Sequence, residues 1–227
     1  MGFADPRYTF IYNNGDLMKN YCDAERLILT DCDGVLLNYE YAFHTWMKNN
    51  GHVLINDAHL YDYDVLSCYG YKYEQSKHLF KTFNSSAAMG FLPPLRDAAY
   101  YVDLLHRKHG YVFHCITSMS RDENAQQLRI ANLKKVFGGT AFERFVFLDT
   151  GEDKTKVLSE YKDSGLLWVE DKLENAVEGQ RLGLQSILME HGHNMIRSHK
   201  PRNDPMWLEA TTIPRYTKWR DIYEVLT

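Results

Sequence analysis

Residues 27 to 34 read LILTDCDG, a short apolar run that ends in two carboxylates one residue apart, followed by glycine. Asp and Gly are favoured in any turn after a strand, so Asp31, Asp33 and Gly34 taken alone have a bland explanation. Three other stretches shift that balance. The run VFHCITS ends in Thr117 and Ser118, the run FVFLDT leads into GEDKTK with Lys154 and Lys156, and the run LLWVED ends in Glu170 and Asp171. Singly, the hydroxyl pair would serve as a helix N-cap and either lysine would be solvated. Jointly they offer a carboxylate that could attack phosphorus, a second to move a proton, and hydroxyl and ammonium donors for phosphate oxygens. The acids could also hold a hard cation such as Mg²⁺, which takes oxygen ligands.

These residues need a scaffold that brings them together. Strand-like apolar runs cover Leu27–Thr30, Val112–Ile116, Phe145–Leu148, Leu166–Val169 and Ser186–Met189, with a weaker one at Thr211–Ile213. Their near-continuous apolarity suits parallel strands covered on both faces. Amphipathic segments alternate with them. PPLRDAAYYVDLLHRKHG carries Leu95, Ala98, Ala99, Val102 and Leu105 on one face, with Pro94 suited to its start and Gly110 to its stop. RDENAQQLRIANLKKVFGG carries Ala125, Leu128, Leu133 and Val136, and LENAVEGQRLG carries Leu173, Ala176 and Val177. The alternation predicts an α/β fold with a doubly wound parallel, Rossmann-like sheet, in which ligands bind beyond the carboxyl ends of the strands. All the candidate residues follow strands at that end.

Residues 39–91 break the rhythm. They are rich in Tyr, His and Asn and read as helical in YAFHTWMKNNG and EQSKHLFKTF, which predicts a small helical cap inserted after the first core strand. Residues 27–38 and 92–227 then form the catalytic core, residues 1–26 an N-terminal extension, and RYTKWRDIYEVL a terminal helix with Trp219, Ile222, Tyr223 and Leu226 inward. Phe43, Trp46, Leu79, Phe80 and Phe83 are expected to form the insert's own core. Tyr61, Tyr63, Tyr69, Tyr71 and Tyr73 cannot all be buried together, so some could face a planar substrate. The alternating tyrosines of YGYKY read as a half-exposed extended segment.

The chain of 227 residues is 44% apolar and 25% charged, with a net charge of −4. That charge supplies no long-range attraction for nucleic acid or anionic lipid, so nucleic acid is an unexpected partner and a membrane is excluded as one. Cys22, Cys32, Cys68 and Cys115 form no C-x-x-C pair, which fits neither a disulfide framework nor a zinc site. No apolar run approaches about 18 residues, MGFADPRYTF lacks a signal-peptide core, and Pro6 breaks the myristoylation pattern. A cytoplasmic protein is expected. His191 and His193, in HGHN, read as a surface loop after the fifth strand rather than a metal site, and SHKPR (198–202) as a solvated loop.

DCDGVLL at 31–37 resembles the first motif, D-x-D-G-[TV]-[LV], of the haloacid-dehalogenase-like (HAD) hydrolases. Thr117 resembles their second motif, Lys154 or Lys156 the third, and VED the acidic fourth, in order over residues 27 to 190. The resemblance implies an Mg²⁺-dependent phosphomonoester hydrolase. Asp31 would be the nucleophile that becomes an aspartyl-phosphate, and Asp33 the general acid and then base. Thr117 would bind the phosphoryl group and a lysine would stabilise its charge. Asp171 would complete the metal site with the Asp31 carboxylate and the Asp33 backbone carbonyl. The family's dehalogenases lack an acid at the position of Asp33, which favours a phosphatase.

TS after the second strand, DKT, the paired acids and a helical cap after the first motif resemble the 5′(3′)-deoxyribonucleotidases and related phage and bacterial nucleotidase-like proteins. That likeness implies that Gly34 and Ser118 join Thr117 in phosphate binding, that Lys154 is the catalytic lysine, and that the substrate is a small phosphate ester such as a nucleoside monophosphate. Glu170 and Asn175 depart from the usual acids and would support the metal ligands from behind. The spacing from Lys154 to the fourth motif is longer than in those nucleotidases. Other readings are a phosphomutase or phosphotransferase, a nucleic-acid 3′-end phosphatase, and a catalytically silent binding protein.

Overall fold

A computed structural model describes residues 26–60, 66–195 and 205–227. Residues 1–25 of the N-terminal extension, Tyr61, Tyr63 and the SHKPR stretch lie outside them. Six parallel strands form one sheet: β1 (Leu27–Thr30), β2 (Val112–Ser118), β3 (Phe142–Leu148), β4 (Leu167–Glu170), β5 (Gln185–Met189) and β6 (Arg215–Tyr216). Their order is β3-β2-β1-β4-β5-β6. The order reverses direction between β1 and β4, and a doubly wound sheet opens a crevice at such a point.

Among the described residues, eight α-helices accompany the strands: α1 (Tyr39–Asn49), α2 (Tyr73–Asn84), α3 (Ala98–His109), α4 (Glu123–Phe137), α5 (Thr155–Leu158), α6 (Leu173–Arg181), α7 (Pro205–Ala210) and α8 (Trp219–Leu226). The inward faces of α3, α4 and α8 join β1–β3 in the larger apolar core, where Ile28, Val102, Phe113, Leu133, Phe142 and Trp219 are buried. A second core, with Leu29, Ile116, Val146 and Trp168, lies among β1–β4 and α5.

The sheet differs from the sequence expectation at its last strand. Thr211–Ile213 is a turn closing α7, with amides donating to Leu208, Glu209 and Ala210, and the sixth strand lies beyond Pro214. Ile213 buries against Leu173, Val177, Leu188 and Ala210, so its apolarity is satisfied by packing without a ladder. Helix α3 also starts later than Pro94 suggests. Residues 93–95 instead run beside 36–38, with Asn38 N–H donating to Pro93 O and Leu95 N–H to Leu36 O, both without helical pairing. Asp97 is then free to cap another helix, its carboxylate accepting from the Trp219 and Arg220 amides at the start of α8.

The segment between β1 and α3 carries α1 and α2. Asn38 caps α1 by accepting from Tyr41 N–H. Phe43 and Phe83 are fully buried, Phe43 stacks on Phe80 at 5.0 Å, and Trp46, Leu79 and Phe80 are partly buried. These rings do not form a core of their own: they are continuous with the apolar core beneath β1.

Candidate active site

The first turn is held tightly at the switch point. Asp31 N–H donates to Val169 O of β4, and the Asp31 carboxylate accepts from Cys32 N–H at 2.7 Å. Gly34 adopts φ +73°, and a Cβ there would come within 2.2 Å of Asp171 Oδ2. Both the backbone conformation and the closeness of the acid therefore require glycine. The residue has a packing role, letting β1 and β4 present their acids to one another.

Lys154 is buried between Asp31 and Glu170, its Nζ 2.9 Å from Asp31 Oδ2 and 2.8 Å from Glu170 Oε2. Burial pulls its pKa down, but the charges of Asp31 and Glu170 outweigh burial and raise it, so it stays an ammonium. Of the two candidate lysines, Lys154 is the one that reaches Asp31, and Lys156 is exposed. Glu170 faces inward and is spoken for: Oε1 accepts from the Asp171 and Lys172 amides, and Oε2 from Lys154 and from Asn175 Nδ2 at 3.2 Å. An amide at position 175 donates to that carboxylate, which an ionised acid there could not do.

Thr117 and Ser118 are the last residues of β2, which extends two residues beyond the sequence expectation. They are not helix caps; α4 is capped by Asp122, whose carboxylate accepts from Ala125 N–H. The Thr117 hydroxyl is buried at the cavity wall with no hydrogen-bond partner among the described residues. The Ser118 hydroxyl donates to Glu152 O at 3.1 Å, so its one proton is committed to the loop after β3.

Asp31, Glu170 and Asp171 bring carboxylate oxygens within 4.8 Å of one another. With Glu170 engaged elsewhere, Asp31 and Asp171 remain as the carboxylates that could hold a hard cation, and an all-oxygen set fits Mg²⁺. Burial works to raise the Asp171 pKa, yet the hydrogen bond and charge of His193 lower it and keep the group ionised. Asp33 is pushed up to about 6, first by burial and further by Asp31, against the lowering effect of Arg129. A carboxyl titrating there can give and take a proton near neutrality.

Two features escaped the sequence. The HGHN loop is part of the site, not a solvated surface loop. His191 Nε2–H donates to Gly34 O at 2.6 Å, His193 Nε2 lies 3.5 Å from Asp171 Oδ2, and the buried Asn194 amide donates to Asp171 O and Met189 O. Its position after β5, next to β4 in the sheet, was the available signal. The other is Arg129, fully buried on α4 and paired with Asp33. It stands four residues after Ala125 and four before Leu133, on the stripe that faces the core, where a charge is out of place.

Asp31, Asp33, Thr117, Lys154, Asp171, His191 and His193 line a cavity of about 450 Å³ whose opposite wall is Tyr39, Phe80 and Asn84 of the insert. Tyr39 Oη donates to Asn84 Oδ1 at 2.7 Å. Tyr69 and Tyr71 lie elsewhere, bonded to His44 and His52, and Tyr69 is buried rather than half-exposed. Among the described residues no helix is long and apolar enough to cross a membrane.

The fold is that of the haloacid-dehalogenase-like hydrolases. A HAD-like hydrolase, SP0104 of Streptococcus pneumoniae, is similar at TM-score 0.56 and 14% identity, covering 89% of this chain and 98% of its own. The HAD-hydrolase YfnB of Bacillus subtilis, solved bound to magnesium, is similar at 0.55 and 14%, covering 89% and 98%. The L-2-haloacid dehalogenase PA0810 is similar at 0.53 and 11%, covering 89% and 99%. No family model matches the sequence, and none of the curated proteins matches it.

Proposed function

We propose that this HAD-type fold carries an Mg²⁺-dependent phosphomonoester hydrolase that works through an aspartyl-phosphate on Asp31. The observation that carries the reading is the convergence on one cavity of Asp31, a buried ammonium 2.9 Å from it, and the unpartnered Thr117 hydroxyl. The Asp31 and Asp171 carboxylates and the Asp33 carbonyl would hold Mg²⁺, which would neutralise the carboxylates and phosphate oxygens when bound. YfnB, of the same fold, was solved with magnesium.

Asp31 attacks phosphorus while Lys154 and Thr117 hold the equatorial oxygens. Asp33 protonates the leaving oxygen, then takes a proton from the water that hydrolyses the intermediate. The dehalogenases of this fold lack an acid at that position, so Asp33 argues for phosphate esters over organic halides. Residues 39–91 act as a cap. A cavity of about 450 Å³ lies in the usual range for small-molecule sites, and the ring and amide of Phe80 and Asn84 suit a nucleoside monophosphate. Phosphate release from p-nitrophenyl phosphate and a panel of nucleotides, with and without Mg²⁺, tests the reading. Turnover should require Mg²⁺ and fall at least about a thousandfold in Asp31→Asn, as loss of a nucleophile does; unchanged turnover in that variant refutes the assignment. Transfer of the phosphoryl group to an added alcohol in place of its release would identify a phosphotransferase.

A further inference from the structure

Arg129 has no part in the reactions just described, yet it is buried on α4 with its guanidinium beneath the Asp31–Gly34 turn. Its Nη1 donates to Asp33 Oδ1 and to Cys32 Sγ at 3.1 Å, and its Nη2 to Met89 Sδ at 3.1 Å. Its Nε is buried with no partner among the described residues. Two thioether and thiol sulfurs are weak acceptors, so among the described residues the charge rests on one carboxylate oxygen. A desolvated guanidinium so poorly supplied contributes little to stability, since a well-packed apolar side chain of similar volume often does as well or better. The arrangement has a different consequence for Asp33. One oxygen is held from below, and the other, Oδ2, is left to carry a proton. The Asp33 side chain is one-fifth exposed and lines the cavity with Asp31.

We propose that Arg129 is a positioning residue for proton transfer: it anchors Asp33 Oδ1 so that Oδ2 faces the leaving oxygen, and it receives the negative charge that forms on Asp33. The inference rests on the reading of Asp33 as the proton donor. In the first step an Asp31 carboxylate oxygen forms a bond to phosphorus, the bond from phosphorus to the ester oxygen breaks with its electron pair staying on that oxygen, and the Oδ2 proton moves to it. Asp33 is then a carboxylate against a guanidinium. In the second step water attacks phosphorus, its proton passes to Oδ2, and the bond from phosphorus to Asp31 breaks with its electron pair returning to the Asp31 carboxylate.

The test compares phenyl phosphate with p-nitrophenyl phosphate, esters of similar shape whose leaving groups differ in their need for a proton. It reads kcat/KM, which reports the steps up to departure of the alcohol. Arg129→Gln should lower kcat/KM for phenyl phosphate on the order of tenfold or more and for p-nitrophenyl phosphate far less. Arg129→Lys should restore part of the difference. In an Asp33→Asn background, Arg129→Gln should add nothing, because the two act as a unit. Equal losses on both esters, or losses that multiply in the double variant, overturn the proposal, since a merely structural role would produce them. If the Arg129 variants do not fold, the structure of the wild type with Mg²⁺ and vanadate decides: Asp33 still bonded to Arg129 supports the proposal, and Asp33 turned away from it overturns it. A wild type that releases phosphate from neither ester overturns the phosphatase reading, and this inference with it. A wild type active on both, with the two losses equal, overturns this inference alone.

Discussion

The wall of the cavity formed by the strand ends is built of charge, and the wall formed by the insert is built of rings. At the strand ends Asp31, Lys154 and Glu170 are buried and Asp171 is half-buried beside them, Lys154 bridging Asp31 and Glu170 and the Asp171 amide donating to Glu170. On the insert, Tyr39, Phe80 and Asn84 hold position through ring packing on Phe43 and Phe83 and one hydrogen bond. Removing one member of the first wall leaves a buried charge uncompensated, whereas removing one of the second leaves a gap that can relax. On the proposed reading, the charged wall would carry out the reaction and the ring wall would select the substrate.

The sharpest way to break that division is at Lys154. Lys154→Met should reduce kcat by about a hundredfold to a thousandfold, as loss of a preorganised donor to a transition state does. Lys156→Met should leave kcat within about twofold of the wild type, as a surface change away from the chemistry does. Parallel kinetics of the two variants check this, and equal losses would erase the distinction. Next comes Gly34→Ala. A methyl group 2.2 Å from Asp171 Oδ2 must displace that carboxylate, so the Mg²⁺ concentration for half-maximal activity should rise about tenfold or more, as when groups that orient a metal ligand are disturbed. A magnesium titration reads it directly.

The ring wall should respond more weakly and selectively. Asn84→Ala should raise KM for a nucleoside monophosphate by about threefold to tenfold, the scale of one lost hydrogen bond, and leave p-nitrophenyl phosphate unchanged. A kcat loss shared by both substrates would place Asn84 with the charged wall. The smallest effect on turnover is expected at His114, on β2 but outside the cavity. Burial, with Arg144 nearby, lowers its pKa to about 4 in the folded state from 6.5. Between those values the unfolded chain takes up a proton that the folded chain refuses. The stability is therefore complete above pH 6.5 and is lost as pH falls toward 4, by about 2 kcal/mol at pH 5. Urea unfolding at pH 7 and pH 5 should show that this part of the acid sensitivity disappears in His114→Gln, with kcat at pH 7 unchanged.

The extent to which the site was legible follows the same division. The parallel sheet, its helices on both faces and the convergence of DCDG, ITS, DKTK and VED could be read because strand period and strand-end position are local properties. The last strand was misplaced because Ile213 satisfies its apolarity by packing on α6 and β5 without joining the sheet. The HGHN loop looked like surface because a two-histidine spacing carries no record of the neighbouring strand, and Arg129 was passed over inside an otherwise ordinary helical stripe.

By itself the sequence determined the class of fold, the end of the sheet at which chemistry could occur, and the acids Asp31, Asp33 and Asp171 that would meet there. Tertiary structure decided which lysine reaches Asp31, why Asn175 rather than an acid faces Glu170, and how Arg129, 96 residues away from Asp33, comes to lie against it. The reason is physical. Strand ends in a parallel sheet are brought together by the backbone ladder, which periodicity announces, whereas contacts between a helix interior and a distant turn depend on how side chains fill the space between them.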